Sequence, residues 1–106
     1  MAKYLVKANL TAEGLKGTLK EGGSARRDAV KTAVESLGGT LEAFYYAFGG
    51  DDVVGIGDMP DNVSAAAFSL LLTAAGGVVV STTVLLTPEE IDEVAKKTGT
   101  YRPPGG

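Results

Sequence analysis

Polar and apolar residues alternate from Lys3 to Asn9, where Tyr4, Val6 and Ala8 oppose Lys3, Leu5, Lys7 and Asn9. A period of two is that of a strand with one face on a core. Thr11 breaks the pattern, and Gly14, Gly17 and Gly22-Gly23 predict a loose or only briefly helical stretch. Ser24 then reads as an N-cap. Beyond it Ala25, Ala29, Val30, Ala33, Val34 and Leu37 recur at helical spacing, with Arg26, Arg27, Lys31 and Glu35 on the remaining surface. Gly38-Gly39 supplies the stop. Thr40 to Phe48 is aromatic-rich and strand-like, Gly49-Gly50-Asp51 is a hairpin signal, and Asp52 to Asp58 is the return strand. Gly55 and Gly57 share one face of that strand, which leaves a groove or admits another backbone closely.

From Asn62 to Pro88 the chain carries no charged side chain. Asp61 or Asn62 caps a helix running to about Ala75, and its apolar surface spreads around the cylinder. Val63, Ala67, Leu70, Leu71 and Ala74 take one side, and Phe68, Leu72 and Ala75 extend it. Gly76-Gly77 splits the run, and Val78 to Leu86 is the strongest strand signal in the chain. The split, together with the interspersed Ser and Thr, leaves neither half able to span a bilayer. An element apolar on several sides predicts a subunit interface, with Phe68, Leu71 and Leu72 as its residues. Thr87-Pro88-Glu89-Glu90 is a complete helix start, followed by a short apolar edge of Ile91, Val94 and Ala95. No regular structure continues into Thr98–Gly106, where Tyr101 and Arg102 precede two prolines.

The resulting order is β-α-β-β-α-β followed by a helix. It predicts an α+β, ferredoxin-like fold, a four-stranded antiparallel sheet with two helices on one face. One domain over residues 1–98 and an extended tail over 99–106 account for the 106 residues. Composition then narrows the chemistry. With no Cys and no His, thiol chemistry and the commonest general base and transition-metal ligand are excluded. No cofactor is implied, and no metal site is assigned. A net charge of −3, with no cluster larger than Arg26-Arg27 flanked by Lys20 and Lys31, argues against nucleic acid as a partner. The segment MAKYLVKANL lacks the apolar stretch of a signal peptide, so a cytoplasmic location and no membrane partner are expected.

The ordered set of motifs resembles the GYD-domain family of small bacterial and archaeal proteins. KYLVKANLT (Lys3–Thr11) looks like its opening strand, and SLGG (Ser36–Gly39) like its Gly-Gly helix end. Gly49-Gly50-Asp51-Asp52, Val53-Val54 and Pro60-Asp61 match its G-x-Y-D turn, valine-rich strand and P-D helix start, in order. Gly76–Thr83 matches its final strand more loosely. Asp51 stands where the signature turn has Tyr. The resemblance implies the ferredoxin-like fold and kinship with dimeric α/β-barrel proteins, in which two sheets pair face to face. It implies no substrate.

Three constellations carry candidate chemistry. Lys7 and Asn9 share one side of the first strand with either Tyr45 or Tyr46, and with Ser81 and Thr83 of the last. In a face-to-face dimer these would line a partly polar ligand cavity. Within such a cavity Lys7, Tyr45 and Tyr46 are the candidate acid–base groups. The second constellation, Ser24, Arg26 and Arg27 behind Gly22-Gly23, reads as an anion site at a helix start, or as plain capping. The third, Asp51-Asp52 with Asp58 and Asp61, places its two pairs at opposite ends of one strand, roughly 20 Å apart at about 3.3 Å per residue. That separation is too large for one metal. The sequence therefore offers interface generously and reactive groups sparingly. It favours a non-catalytic homo-oligomer that binds a small molecule or serves in assembly. Its alternatives are a cofactor-independent enzyme using the Lys/Tyr pocket and a purely structural oligomer.

Overall fold

A computed structural model describes residues 2–106. The elements run β1 (Ala2–Leu10), α1 (Ala12–Glu21), α2 (Gly23–Ser36), β2 (Thr40–Tyr46), β3 (Val53–Met59), α3 (Asn62–Ala75), β4 (Val78–Leu85) and α4 (Pro88–Lys96). The four strands form one antiparallel sheet in the order β2-β3-β1-β4, the ferredoxin-like arrangement. Cross-strand register sorts the side chains. Tyr4, Val6 and Ala8 of β1 lie on one face with Gly57, Gly55 and Val53 of β3, and with Val84, Thr82 and Val80 of β4. Helices α2 and α3 cover this face. Lys3, Leu5 and Lys7 lie on the other with Asp58, Ile56 and Val54, and with Leu85, Thr83 and Ser81.

The core is small and sits at one end of the helix-covered face. Tyr4, Val34, Met59, Ala65 and Phe68 are buried there, with Ala2, Val30, Leu37 and Leu72 packed against them. The Tyr4 ring is in this core while its hydroxyl donates to the Asn62 side chain at 2.5 Å, which satisfies the polar tip of a buried aromatic. α3 starts beside it under the Asp61 cap, whose carboxylate accepts from the Ser64 N–H at 2.8 Å.

Three local expectations are corrected. The glycine-rich stretch after β1 is a full ten-residue helix, α1, capped by the Thr11 hydroxyl. One of its glycines, Gly14, serves close approach rather than looseness. A Cβ on Gly14 would collide with the Gly77 carbonyl, and Thr11 N–H donates to that same oxygen at 3.0 Å. Ser24 is not a cap, because α2 already begins at Gly23, behind Gly22, and has no side-chain cap. β2 and β3 form the expected antiparallel hairpin, but its glycines do not supply the positive φ of a tight turn. Ala47 N–H donates to Asp52 O at 2.8 Å across a four-residue loop, and neither Gly49 nor Gly50 takes a positive φ.

The capping box at α4 forms as the motif predicts. Thr87 Oγ1 accepts from Glu90 N–H, and the Glu90 carboxylate accepts from Thr87 N–H. Yet every residue from Pro88 to Gly106 is exposed. This arm helps set the Cα radius of gyration at 16.9 Å, against about 13 Å for a compact chain of this length.

Candidate functional site

The open sheet face gathers most of the predicted ligand residues. Tyr45, Val54, Lys7 and Ser81 form one cross-strand row, and Thr83 lies beside it opposite Leu5. Asn9 points the same way, and its amide donates to Asp51 Oδ1 at 3.1 Å. Tyr45 is 70% exposed. Lys7 and Tyr45 are two strands apart, roughly 10 Å between Cα atoms, with Val54 between them. Lys3, at the far end of this face, pairs with Glu42 at 2.6 Å and Asp58 at 3.2 Å. Those two carboxylates raise the Lys3 pKa above its ordinary value, chiefly through the hydrogen bond to Glu42. Glu42 reaches Lys3 from an irregularity in the β2–β3 ladder between Leu41 and Ala43.

Tyr46 belongs to the opposite face. It pairs with Val53, and its hydroxyl donates to the Gly23 carbonyl at 3.2 Å. Its ring stands edge-on to Phe44 with centroids 5.3 Å apart. Burial raises the Tyr46 pKa, and the positive charges of Arg26 and Arg27 oppose that shift. These contacts put the start of α2 over the Tyr46 end of the sheet.

Between α2, α3 and the sheet there is a cavity of about 300 Å³. Its floor is the row of small residues at the middle of the sheet, Ala8, Gly55 and Gly57. A Cβ built on Gly55 would meet only the neighbouring strand, at Ala43 O (3.3 Å) and the Phe44 ring (3.9 Å). On Gly57 it would meet only Thr40 O, at 3.3 Å. Nothing from the helices descends onto either glycine, so the space above them is open. Val30, Ala33 and Val34 of α2 make one wall, and Phe68, Leu71 and Leu72 of α3 the other. Phe44 and Tyr46 close an edge, and among the described residues Arg26 is the one charged side chain in the lining. The volume lies at the lower end of small-molecule pockets, and the mostly apolar walls with a few polar groups fit that class.

The remaining candidates fall as follows. Arg26 lines the cavity and contacts Glu21 at 3.4 Å, whereas Arg27 pairs with Asp28 at 3.2 Å. Of the interface residues expected in α3, Phe68 is 5% exposed and belongs to the core, so it presents nothing to a partner. Leu72 packs against that core and Leu71 is exposed. The outward side of α3 is instead marked by Val63 and Leu70, which are 80% and 69% exposed. An all-round apolar helix gives periodicity no way to choose the inner side. The aspartates are divided among structural tasks. Asp52 Oδ2 accepts from Leu10 N–H at 2.8 Å while Asp52 N–H donates to Ala8 O at 3.0 Å, which fastens the signature turn to the end of β1. Asp58 pairs with Lys3, and Asp61 caps α3. Among the described residues no three acidic groups converge as a metal site would require.

The shared face of Gly55 and Gly57 pointed to a groove or to a close backbone approach, and a groove is what lies above them, on the sheet face opposite most of the candidate ligand residues. The missing information was register. Only the pairing of Gly55 with Val6 and Gly57 with Tyr4 puts the glycines under the helices. Arg26 was singled out as an anion ligand, with no sign in the sequence that it bordered this groove.

Neither a curated protein nor a solved structure matches the chain significantly. The family model of the GYD domain matches residues 4–95, from the Tyr4 strand through most of α4. The match takes in both helix walls, the glycine floor and the turn held by Asp52, and the chain belongs to the GYD domain family.

Proposed function

We propose that this protein is a non-catalytic, homo-oligomeric small-molecule-binding protein of the cytoplasm, and that its ligand occupies the cavity between α2, α3 and the sheet. The observation that carries the reading is the open space above Gly55 and Gly57, walled by apolar side chains that the chain does not use to fill it. Protein interiors pack to crystal-like density. A void of about 300 Å³ bordered by the core side chains themselves is therefore a cost to stability that a ligand would offset. The acid–base alternative has weaker support, since Lys7 and Tyr45 are held apart by Val54 and Tyr46 faces away from both.

Self-association is supported by apolar surface in three places. These are Val63 and Leu70 on α3, Val79 and Val84 on the edge strand β4, and the open face around Tyr45. β4 carries no charge or proline to discourage pairing. No helix among the described residues is long and apolar enough to cross a membrane.

Two measurements test the proposal. Light scattering on the eluting protein is expected to give at least a dimer at micromolar concentration, and a clean monomer removes the oligomer. A thermal-shift screen with small apolar and amphipathic compounds is expected to stabilise the wild type but not Ala33→Phe, which fills the cavity from the α2 wall. Equal shifts in the two proteins remove the cavity as the binding site.

A further inference from the structure

We infer that the cavity is built for an amphipathic anion, an apolar body with a single carboxylate that is met by Arg26. This rests on the cavity being a ligand site, as proposed above, and adds the chemistry of what enters it. Apart from the hydroxyls of Thr18 and Thr82, the walls and floor are mostly aliphatic, aromatic or glycine, so they gain by covering apolar surface and offer little to a polar ligand. Among the described residues no acidic side chain lines the cavity, and the single charge there is a guanidinium. A cation or a polyhydroxylated ligand finds no counter-charge and few partners inside.

Arg26 is available for the task. Its one carboxylate contact is Nη1 to Glu21 at 3.4 Å, between side chains that are 45% and 51% exposed. An exposed pair of that length contributes little. A guanidinium has five N–H donors, and a carboxylate accepts two in parallel. Glu21 can therefore be displaced, or can share the group with a ligand. Arg27 lies next in sequence and is paired with Asp28, but it does not line the cavity. Position within the fold thus separates two adjacent arginines that the sequence alone makes equivalent. The Tyr46 hydroxyl at the same edge gives its one proton to the Gly23 carbonyl at 3.2 Å, which leaves Arg26 as the donor for a carboxylate there.

The test uses two probes of equal chain length, octanoate and 1-octanol, titrated calorimetrically into the full-length protein in its native assembly. Wild type is expected to bind octanoate about tenfold more tightly than 1-octanol, the scale of one charge-assisted contact. Arg26→Gln, a change at an exposed side chain, is expected to abolish that preference while leaving 1-octanol binding intact. Arg27→Gln is expected to keep it, and Ala33→Phe to lose both probes. If octanoate binds no better than 1-octanol, or keeps its advantage in Arg26→Gln, the anion assignment is overturned and the cavity reading stands. If neither probe binds wild type, or Ala33→Phe binds both unchanged, the cavity reading fails and this inference with it.

Discussion

The same two helices cross the same sheet face at both ends, yet one end is packed and the other is open. At the packed end Tyr4 and Met59 rise from the sheet to meet Val34 of α2 with Ala65 and Phe68 of α3. Toward the open end the sheet offers Gly55 and Ala8, and the inner sides of the same core residues, with Val30 and Ala33 of α2, border empty space. Fold, strand order and helix placement are common to the two ends, so topology does not decide whether the layers touch. Side-chain volume on a few rows does. The packed end is also where α3 is locked in place, through the Asp61 cap and the Tyr4–Asn62 hydrogen bond. The same side chains thus hold the layers together on one side and wall the cavity on the other.

Four substitutions probe this division. Phe68→Ala removes the largest side chain that α3 contributes to the packed end, and is expected to cost about 3–5 kcal/mol in denaturant unfolding. A loss below 1 kcal/mol would mean that the packed end is as loose as the open one. Gly39→Ala acts at the same end. Its Cβ would press on Met59 Sδ and come within 2.5 Å of the Asp58 carbonyl, a backbone atom that cannot turn aside. The expected cost is about 1–3 kcal/mol, as for overpacking elsewhere, and a neutral result would show that β3 shifts freely there.

Gly55→Val tests the opposite expectation. A branched side chain suits a strand and its methyls would enter the cavity, but its Cβ meets the Ala43 carbonyl at 3.3 Å, so stability is expected to change by less than about 1 kcal/mol while ligand binding falls. Destabilisation together with retained binding would refute the open floor. The smallest effect concerns acid. The backbone hydrogen bond from Ser64 lowers the Asp61 pKa below its ordinary 3.8. The stabilisation by the ionised cap is therefore complete above that value and is lost as pH falls through the depressed pKa. Asp61→Asn keeps an acceptor without the charge. Its unfolding free energy is expected to fall less than that of wild type when pH is lowered through this range, and parallel acid profiles would contradict the cap's role.

Much of this architecture was legible because it rests on local signals. Alternation in β1, the Asp61 start of α3, the Gly-Gly breaks and the Thr87 capping box all report on their own neighbourhood, and they placed seven of the eight elements. The eighth, α1, was hidden because Gly14 and Gly17 read as breakers. The need for Gly14 is set by Gly77, 63 positions away along the chain. The open-face constellation was accurate as to parity, and register decided between Tyr45 and Tyr46 in favour of Tyr45. The inner side of α3 and the contact between Arg26 and the groove depend on which surfaces meet across layers. A single helix or strand holds no record of that.

The two borders of the sheet differ in a way that bears on how far association can go. Along β2 the ladder is broken between Leu41 and Ala43, and Glu42 sits there as a charge. Along β4, Val78 to Leu85 is an unbroken uncharged strand. An added strand can dock on the second border and is discouraged from the first. Growth by head-to-tail repetition needs both borders, whereas a two-fold pairing of β4 with β4 needs only one. Under the proposed self-association, any lateral extension of this sheet would end at a closed pair rather than run on into a fibre.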